Sequence, residues 1–287
     1  MDNAICTEIV DAVRKELPTS DTAYHKLSAW INAVQREFPV EIFTTNYDLL
    51  IEQALESYRV PYFDGFVGSN HPFFDSYSIE ENILPPKWAR LWKLHGSINW
   101  FQSSKNGITR RIAQPNEPDL CRVIHPSHLK YDESRKMPYL AMIDRLKNFI
   151  KQPHSVLITC GYSFRDEHIN AVLSEGLHSN STAIIFALLH SNLEKYPPAI
   201  NIANSYSNFN LLGKNAAIIG MKQRVWAEKT ESDFAESGVI TKSAENSITD
   251  PLFCQVVLSL GNFNQFGSQL EEIMGSCKLK ESEIHAK

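Results

Sequence analysis

The chain has 287 residues, 43% hydrophobic and 10% aromatic, with a formal net charge of −5. That suits one large α/β domain, or one domain plus an appendage, and excludes a chain disordered over most of its length. The longest basic cluster is Arg110-Arg111, no apolar run reaches the roughly 18 residues of a membrane helix, and Met1-Asp2-Asn3-Ala4 lacks the basic and apolar regions of a signal peptide. The expectation is therefore a soluble, cytoplasmic protein that binds neither nucleic acid nor membrane.

In chain order, residues 23–38 place Leu27, Trp30, Ile31, Val34 and Phe38 at helical spacing, and Pro39 ends that helix before a strand from Val40. Residues 49–57 read as a second helix. Residues 58–88, rich in Pro, Gly, Phe and Asn with weak periodicity, read as an irregular insertion able to cover strand ends like a lid. Residues 89–113 read as two strands around the turn Ser103-Ser104-Lys105-Asn106-Gly107. A helix follows at 137–151, with Leu140, Ile143, Leu146 and Ile150 on one face. Then come a strand at 155–160, a helix at 166–178, a strand at 182–189 and a short strand at 216–220. Residues 230–250 are polar and read as a loop; residues 251–274 read as a helix weakened by Gly261 and Gly267. No internal repeat is visible. Strands alternating with helices predict an α/β fold with a largely parallel sheet flanked by helices. One domain is expected over 1–229, with a polar linker and C-terminal helical segment over 230–287.

Three strand-type runs end in polar clusters. Val40-Glu41-Ile42-Phe43 runs into Thr44-Thr45-Asn46-Tyr47-Asp48, Leu91-Trp92-Lys93-Leu94 into His95-Gly96-Ser97, and Val156-Leu157-Ile158 into Thr159-Cys160-Gly161-Tyr162-Ser163-Phe164. Open α/β sheets bind ligands at the carboxyl ends of their strands, so the three clusters are expected to converge on one pocket. Each alone has a plain structural explanation. Thr45-Asn46-Tyr47-Asp48 and Ser163-Phe164-Arg165-Asp166 both fit the capping box that starts a helix. His95, His125, His128 and His168 singly fit structural histidines; Trp88, Trp92 and Trp100 fit packing; Gly65-x-x-Gly68 is too short to be a phosphate loop. The five cysteines are scattered and never spaced Cys-x-x-Cys, which disfavours both a disulfide framework and a zinc site.

Read together and in order, Thr44 to Asp48, Leu94-His95-Gly96-Ser97, and Gly161-Tyr162-Ser163-Phe164 followed by Asp166-Glu167-His168-Ile169-Asn170 resemble the sirtuin-like NAD-binding family. Within it they resemble the bacterial branch that lacks a zinc module. Ile124-His125-Pro126-Ser127, with Lys130-Tyr131 after it, adds to a resemblance that spans roughly residues 20–225. It implies a Rossmann-like sheet, NAD as the substrate, no zinc, and hydrolysis of NAD to nicotinamide and ADP-ribose; several bacterial members do this in defence against phage. Asn46 matches the family's catalytic Asn, Asp48 the Asp that holds the nicotinamide carboxamide, and His95 the catalytic His beside the ribose. Gly161 and Ser163 match the strand-end pair near the cofactor's ribose and phosphates, and Thr45 falls within the same cofactor-binding motif.

These residue types suit that chemistry. Nicotinamide leaves NAD as a neutral group from a cationic nitrogen, through an oxocarbenium-like centre. Asp48 can fix the carboxamide, Asn46 can orient a nucleophile through its amide, and a neutral His95 can accept a proton. Two alternatives stand beside this reading: a protein deacylase using the same pocket, which the lack of zinc-spaced cysteines disfavours, and an inactive module that binds a nucleotide or a partner protein. The chain departs from the family in one respect. The family's strand and glycine-rich turn, which cradle the pyrophosphate at a helix N-terminus, have no counterpart, because the sequence contains no Gly-x-Gly. The expectation is weak NAD binding by this chain and an exposed apolar edge that associates with another copy or a protein partner.

Overall fold

A computed structural model describes residues 2–103, 107–112, 120–124, 138–226, 240–243 and 255–284. The chain forms two compact units, Met1–Leu146 and Lys147–Lys287. Among the described residues, no helix is long and apolar enough to cross a membrane.

The first unit runs α1 (Asp2–Val13), α2 (Ala23–Ala33), β1 (Glu41–Thr44), α3 (Leu50–Ser57), β2 (Tyr62–Phe63), β3 (Phe66–Val67), β4 (Phe73–Phe74), α4 (Ser76–Glu81), β5 (Ala89–Lys93), β6 (Gly96–Ser103), β7 (Thr109–Arg111) and β8 (Leu120–Ile124); α5 (Tyr139–Lys151) straddles the boundary. Strands β1, β5 and β2 form a parallel sheet in the order β1-β5-β2, with Thr44 opposite Lys93 and Phe63 opposite Arg90. As the central strand, β5 is buried along its whole length, as parallel strands covered on both faces usually are. Ile31, Leu55, Val60 and Ala89 make the core between this sheet and α2 and α3. The remaining strands form a second sheet, β3-β4-β7-β6-β8, antiparallel throughout.

In the second unit β9 (Val156–Cys160), α6 (Glu167–Ser179), β10 (Ile184–Leu188), α7 (Pro197–Ser205) and β11 (Phe209–Leu212) alternate strand and helix. Strands β9, β10 and β11 are parallel, and the antiparallel strands β12 (Ala216–Ile219) and β13 (Lys222–Val225) extend the sheet to the order β13-β12-β11-β10-β9. Strands β14 (Ile240–Ser243) and β15 (Gln255–Leu258) pair as a separate antiparallel ribbon, followed by α8 (Phe263–Ile284). The expected Rossmann-like α/β fold is therefore present, with antiparallel additions.

Several local expectations need correction. Helix α2 stops at Ala33, well before Pro39, because Val34 turns extended at φ −71° and ψ 121°. The Arg36 guanidinium donates to the Ile31 and Val34 carbonyls, satisfying groups a continuing helix would have used. Phe38 consequently lies 73% exposed rather than on the buried face. The stretch 58–88 is not irregular throughout: Tyr62–Phe63 is a strand of the parallel sheet, and Val60, Phe63, Phe66 and Ile79 are core residues. Residues 89–113 hold three strands rather than two, since β5 joins the parallel sheet before β6 and β7 pair with each other. Within 230–250, Ile240–Ser243 is a strand, and Gln255–Leu258 is a strand rather than the start of a helix. Gly261 precedes α8, and a Cβ there would lie 1.9 Å from the Leu189 carbonyl oxygen; close packing rather than weak helicity explains this glycine. Residues 104–106 of the expected turn, His125 and His128, the motif after Ile124, and most of 230–250 lie outside the described residues.

Candidate functional site

The parallel pairing of β1 with β5 decides where the first two clusters stand. Both strands end at the same side of the sheet, Thr44 beside Lys93, so the segment 45–49 and the turn at Leu94-His95 are neighbours. Backbone bonds stitch them together: Leu94 N–H donates to the Thr44 carbonyl at 2.8 Å and Ile98 N–H to the Tyr47 carbonyl at 3.1 Å. The Tyr47 and His95 rings lie 6.4 Å apart between centroids, tilted by 37°. Gly96 follows His95 with φ +88°, a left-handed conformation that glycine adopts without strain, and it turns the chain directly into β6. His95 thus sits in a tight strand-to-strand turn, not ahead of a helix or loop.

Neither expected capping box forms as read. The N-cap of α3 is Leu49, which makes no side-chain cap; one residue ahead of it Asp48 accepts from Leu50 N–H at 3.0 Å, while the Thr44 hydroxyl accepts from Asn46 N–H at 3.1 Å. Asn46 is exposed; Thr45, Asp48 and His95 are half-buried. Burial, and then the Asp48 charge, push the nearby Tyr24 phenol above its ordinary pKa.

Gly161 and Ser163 belong to the second unit, where both are exposed just past β9. Gly161 has φ +75° and Phe164 φ +58°, so the chain bends sharply twice before α6. Phe164 is fully buried against Tyr162 and Phe209, with ring centroids 4.5 and 5.9 Å away. The N-cap of α6 is Asp166 rather than Ser163: its carboxylate accepts from His168 N–H at 2.9 Å and Ile169 N–H at 3.1 Å. Tyr162 O–H reaches Asn170 Oδ1 at 2.9 Å, and the Asn170 amide returns a bond to the Phe164 carbonyl at 2.8 Å. Cys160, at the end of β9, has its thiol pushed up to about 11 by burial.

Buried ion pairs lie in the first unit, one of them directly against the first cluster. Lys93 is 1% exposed and its ammonium lies 2.7 Å from the Glu52 carboxylate. Asp64, just past the end of β2, is buried, accepts from Phe66 N–H at 3.2 Å and pairs with Arg111, which lies over the Phe66 ring. Burial raises the pKa of both Glu52 and Asp64, opposed by Lys93 for the first and Arg111 for the second. The signal available in the sequence was a lysine inside an otherwise apolar strand run, Leu91-Trp92-Lys93-Leu94, where an unpaired cation would be costly.

Among the described residues no group of three or more His, Cys, Asp or Glu could hold a metal ion. A surface groove of the first unit is lined by His71, Phe73, Ser76, Ile108 and Arg110 and includes none of the candidate site residues Thr45, Asn46, Asp48, His95, Gly161 and Ser163. Chemically, the β1–β5 end offers a carboxylate, a carboxamide and an imidazole on adjoining segments, a set able to hold an amide group and move one proton. Compared with known proteins, residues 40–207 match the family model described as the SIR2-like domain. No curated protein matches the chain.

Proposed function

The chain belongs to the SIR2-like domain family, and from that premise we propose that it takes NAD as substrate and hydrolyses it to nicotinamide and ADP-ribose. The observation that supports this most directly is the in-register parallel pairing of β1 and β5, which sets the Asn46–Asp48 segment beside His95 within the matched span. In this reading Asp48 accepts a hydrogen bond from the nicotinamide carboxamide and fixes the ring's orientation. Asn46 holds a water molecule through its amide. As the bond from the ribose C1′ to the nicotinamide nitrogen breaks, that water adds to C1′ and His95 takes up the proton released. Thr45, Gly161 and Ser163 are assigned, by their match to the family motif, to contacts with the cofactor's ribose and phosphates. No zinc is assigned a part in the reaction. The matched span, 40–207, falls within 1–229, the residues proposed to make up the sirtuin-like domain. The proposed setting, defence against phage, follows the bacterial members that the motifs resemble.

The test is nicotinamide release from NAD by wild-type and His95→Ala protein. Loss of a general base is expected to slow turnover by about 10²-fold or more. His168, exposed in the first turn of α6 of the second unit, should matter much less. Unchanged turnover in a folded His95→Ala protein would overturn the assignment.

A further inference from the structure

A buried lysine in the middle strand of a parallel sheet needs a reason, because an apolar side chain would fill the place without the cost of desolvating a charge. Lys93 is the last residue of β5 and stands opposite Thr44, the last residue of β1. An ammonium carries three donors, and three acceptors surround this one. Glu52 Oε1 lies at 2.7 Å, the Asp48 carbonyl oxygen is in close contact, and the Tyr47 carbonyl oxygen lies at 3.5 Å. Two of the three belong to the backbone that carries Asn46 and Asp48. The third sits in the first turn of α3, whose first N–H, that of Leu50, Asp48 accepts. Other bonds hold the same segment further upstream: Leu94 N–H grips Thr44, and Ile98 N–H and the Ser97 hydroxyl grip Tyr47. The bond from Lys93 reaches one residue beyond them, to Asp48 itself.

We propose that Lys93 is a positioning residue: its buried ammonium holds the Tyr47–Asp48 backbone against β5 and α3, and so sets the directions in which Asn46 and Asp48 point. This rests on the assignment of Asn46 and Asp48 to NAD chemistry, but the positioning itself can be measured without NAD.

The experiment compares the full chain with Lys93→Met and with Lys93→Met/Glu52→Met by hydrogen exchange and by NAD turnover. The double variant removes both charges, so no unpaired carboxylate remains buried and folding is preserved. Expected for it are slow exchange still at the amides of β5 and of the α3 interior, and exchange at least tenfold faster at residues 47–49. Where the wild type turns over NAD, kcat of the folded double variant should fall by about 10²-fold, the scale of a small misplacement of a reacting group. A folded double variant with wild-type exchange at 47–49, or with wild-type kcat, overturns the proposal. A wild-type chain without NAD turnover overturns the functional assignment instead, and exchange alone then decides the role of Lys93. Independently of any variant, the Lys93 ammonium of the wild-type chain should give a slowly exchanging ¹⁵N resonance; an ammonium exchanging as fast as an exposed lysine overturns the proposal as well.

Discussion

Asn46 and Asp48 stand two residues apart and do different things in the fold. Asp48 accepts from Leu50 N–H at the entry to α3, whereas Asn46 is exposed and contributes its own N–H to the Thr44 hydroxyl. Replacing Asp48 by Ala should therefore cost about 0.5–1.5 kcal/mol in urea unfolding, the usual net worth of one such hydrogen bond. Asn46→Asp should leave the melting temperature within a few degrees while NAD turnover collapses, because a charge replaces the neutral amide proposed to hold the nucleophile. Preserved specific activity in Asn46→Asp, measured on folded protein, would contradict the role given to Asn46. Cys160 offers a pH test. With its pKa pushed up to about 11 by burial, the thiol is neutral at pH 8 and carries the thiolate only as pH rises. Alkylation at Cys160, followed by peptide mapping, should run at pH 8 roughly 10²-fold slower than at a free cysteine and accelerate with pH toward about 11. A rate at pH 8 equal to that of an unfolded peptide would show that the thiol is not buried as described.

Helices α5 and α6 meet in the second unit at one glycine. A Cβ on Gly176 would lie 2.5 Å from Ile150 Cγ2 and 2.9 Å from Ile150 Cβ, and Ile150 is itself buried. Alanine would gain about 1 kcal/mol of helix propensity over glycine. Overpacking a tight contact costs about 1–3 kcal/mol. A contact as close as 2.5 Å puts the cost toward the upper end, so Gly176→Ala should lower stability by about 1–2 kcal/mol in urea unfolding, with an unchanged slope against denaturant. A stabilised Gly176→Ala would mean that the two helices separate at little cost. The elements themselves were unevenly legible. Helices with an apolar face, such as Leu50–Ser57 and Tyr139–Lys151, and apolar strands such as Val156–Cys160 follow from local periodicity. Two-residue strands such as Tyr62–Phe63 carry no period and exist because β5 offers them a partner.

For the whole molecule, the sharpest prediction concerns phosphate. The sequence has no Gly-x-Gly, and a carboxylate already bonds backbone N–H groups at the start of each helix that follows β1 and β9: Asp48 takes Leu50 N–H just ahead of α3, and Asp166 is the N-cap of α6. A pyrophosphate brought to either N-terminus meets a carboxylate already using the amide donors. Calorimetry on the 287-residue chain should give a millimolar or weaker NAD affinity, about −4 kcal/mol or less favourable. Micromolar binding would show that another segment supplies the phosphate site. By itself the sequence determined the α/β class, the strand–helix order around each motif and the identity of the motif residues, because all three depend on neighbours a few positions apart. Tertiary structure alone decided that β1 lies beside β5 in parallel register, which makes Asn46, Asp48 and His95 neighbours across some fifty residues. It alone also gave the α6 cap to Asp166, left α3 without a side-chain cap, and buried Lys93 against Glu52. The reason is physical: strand pairing, and the matching of a buried charge to its acceptors, are contacts between distant segments, and no local period records which segments meet.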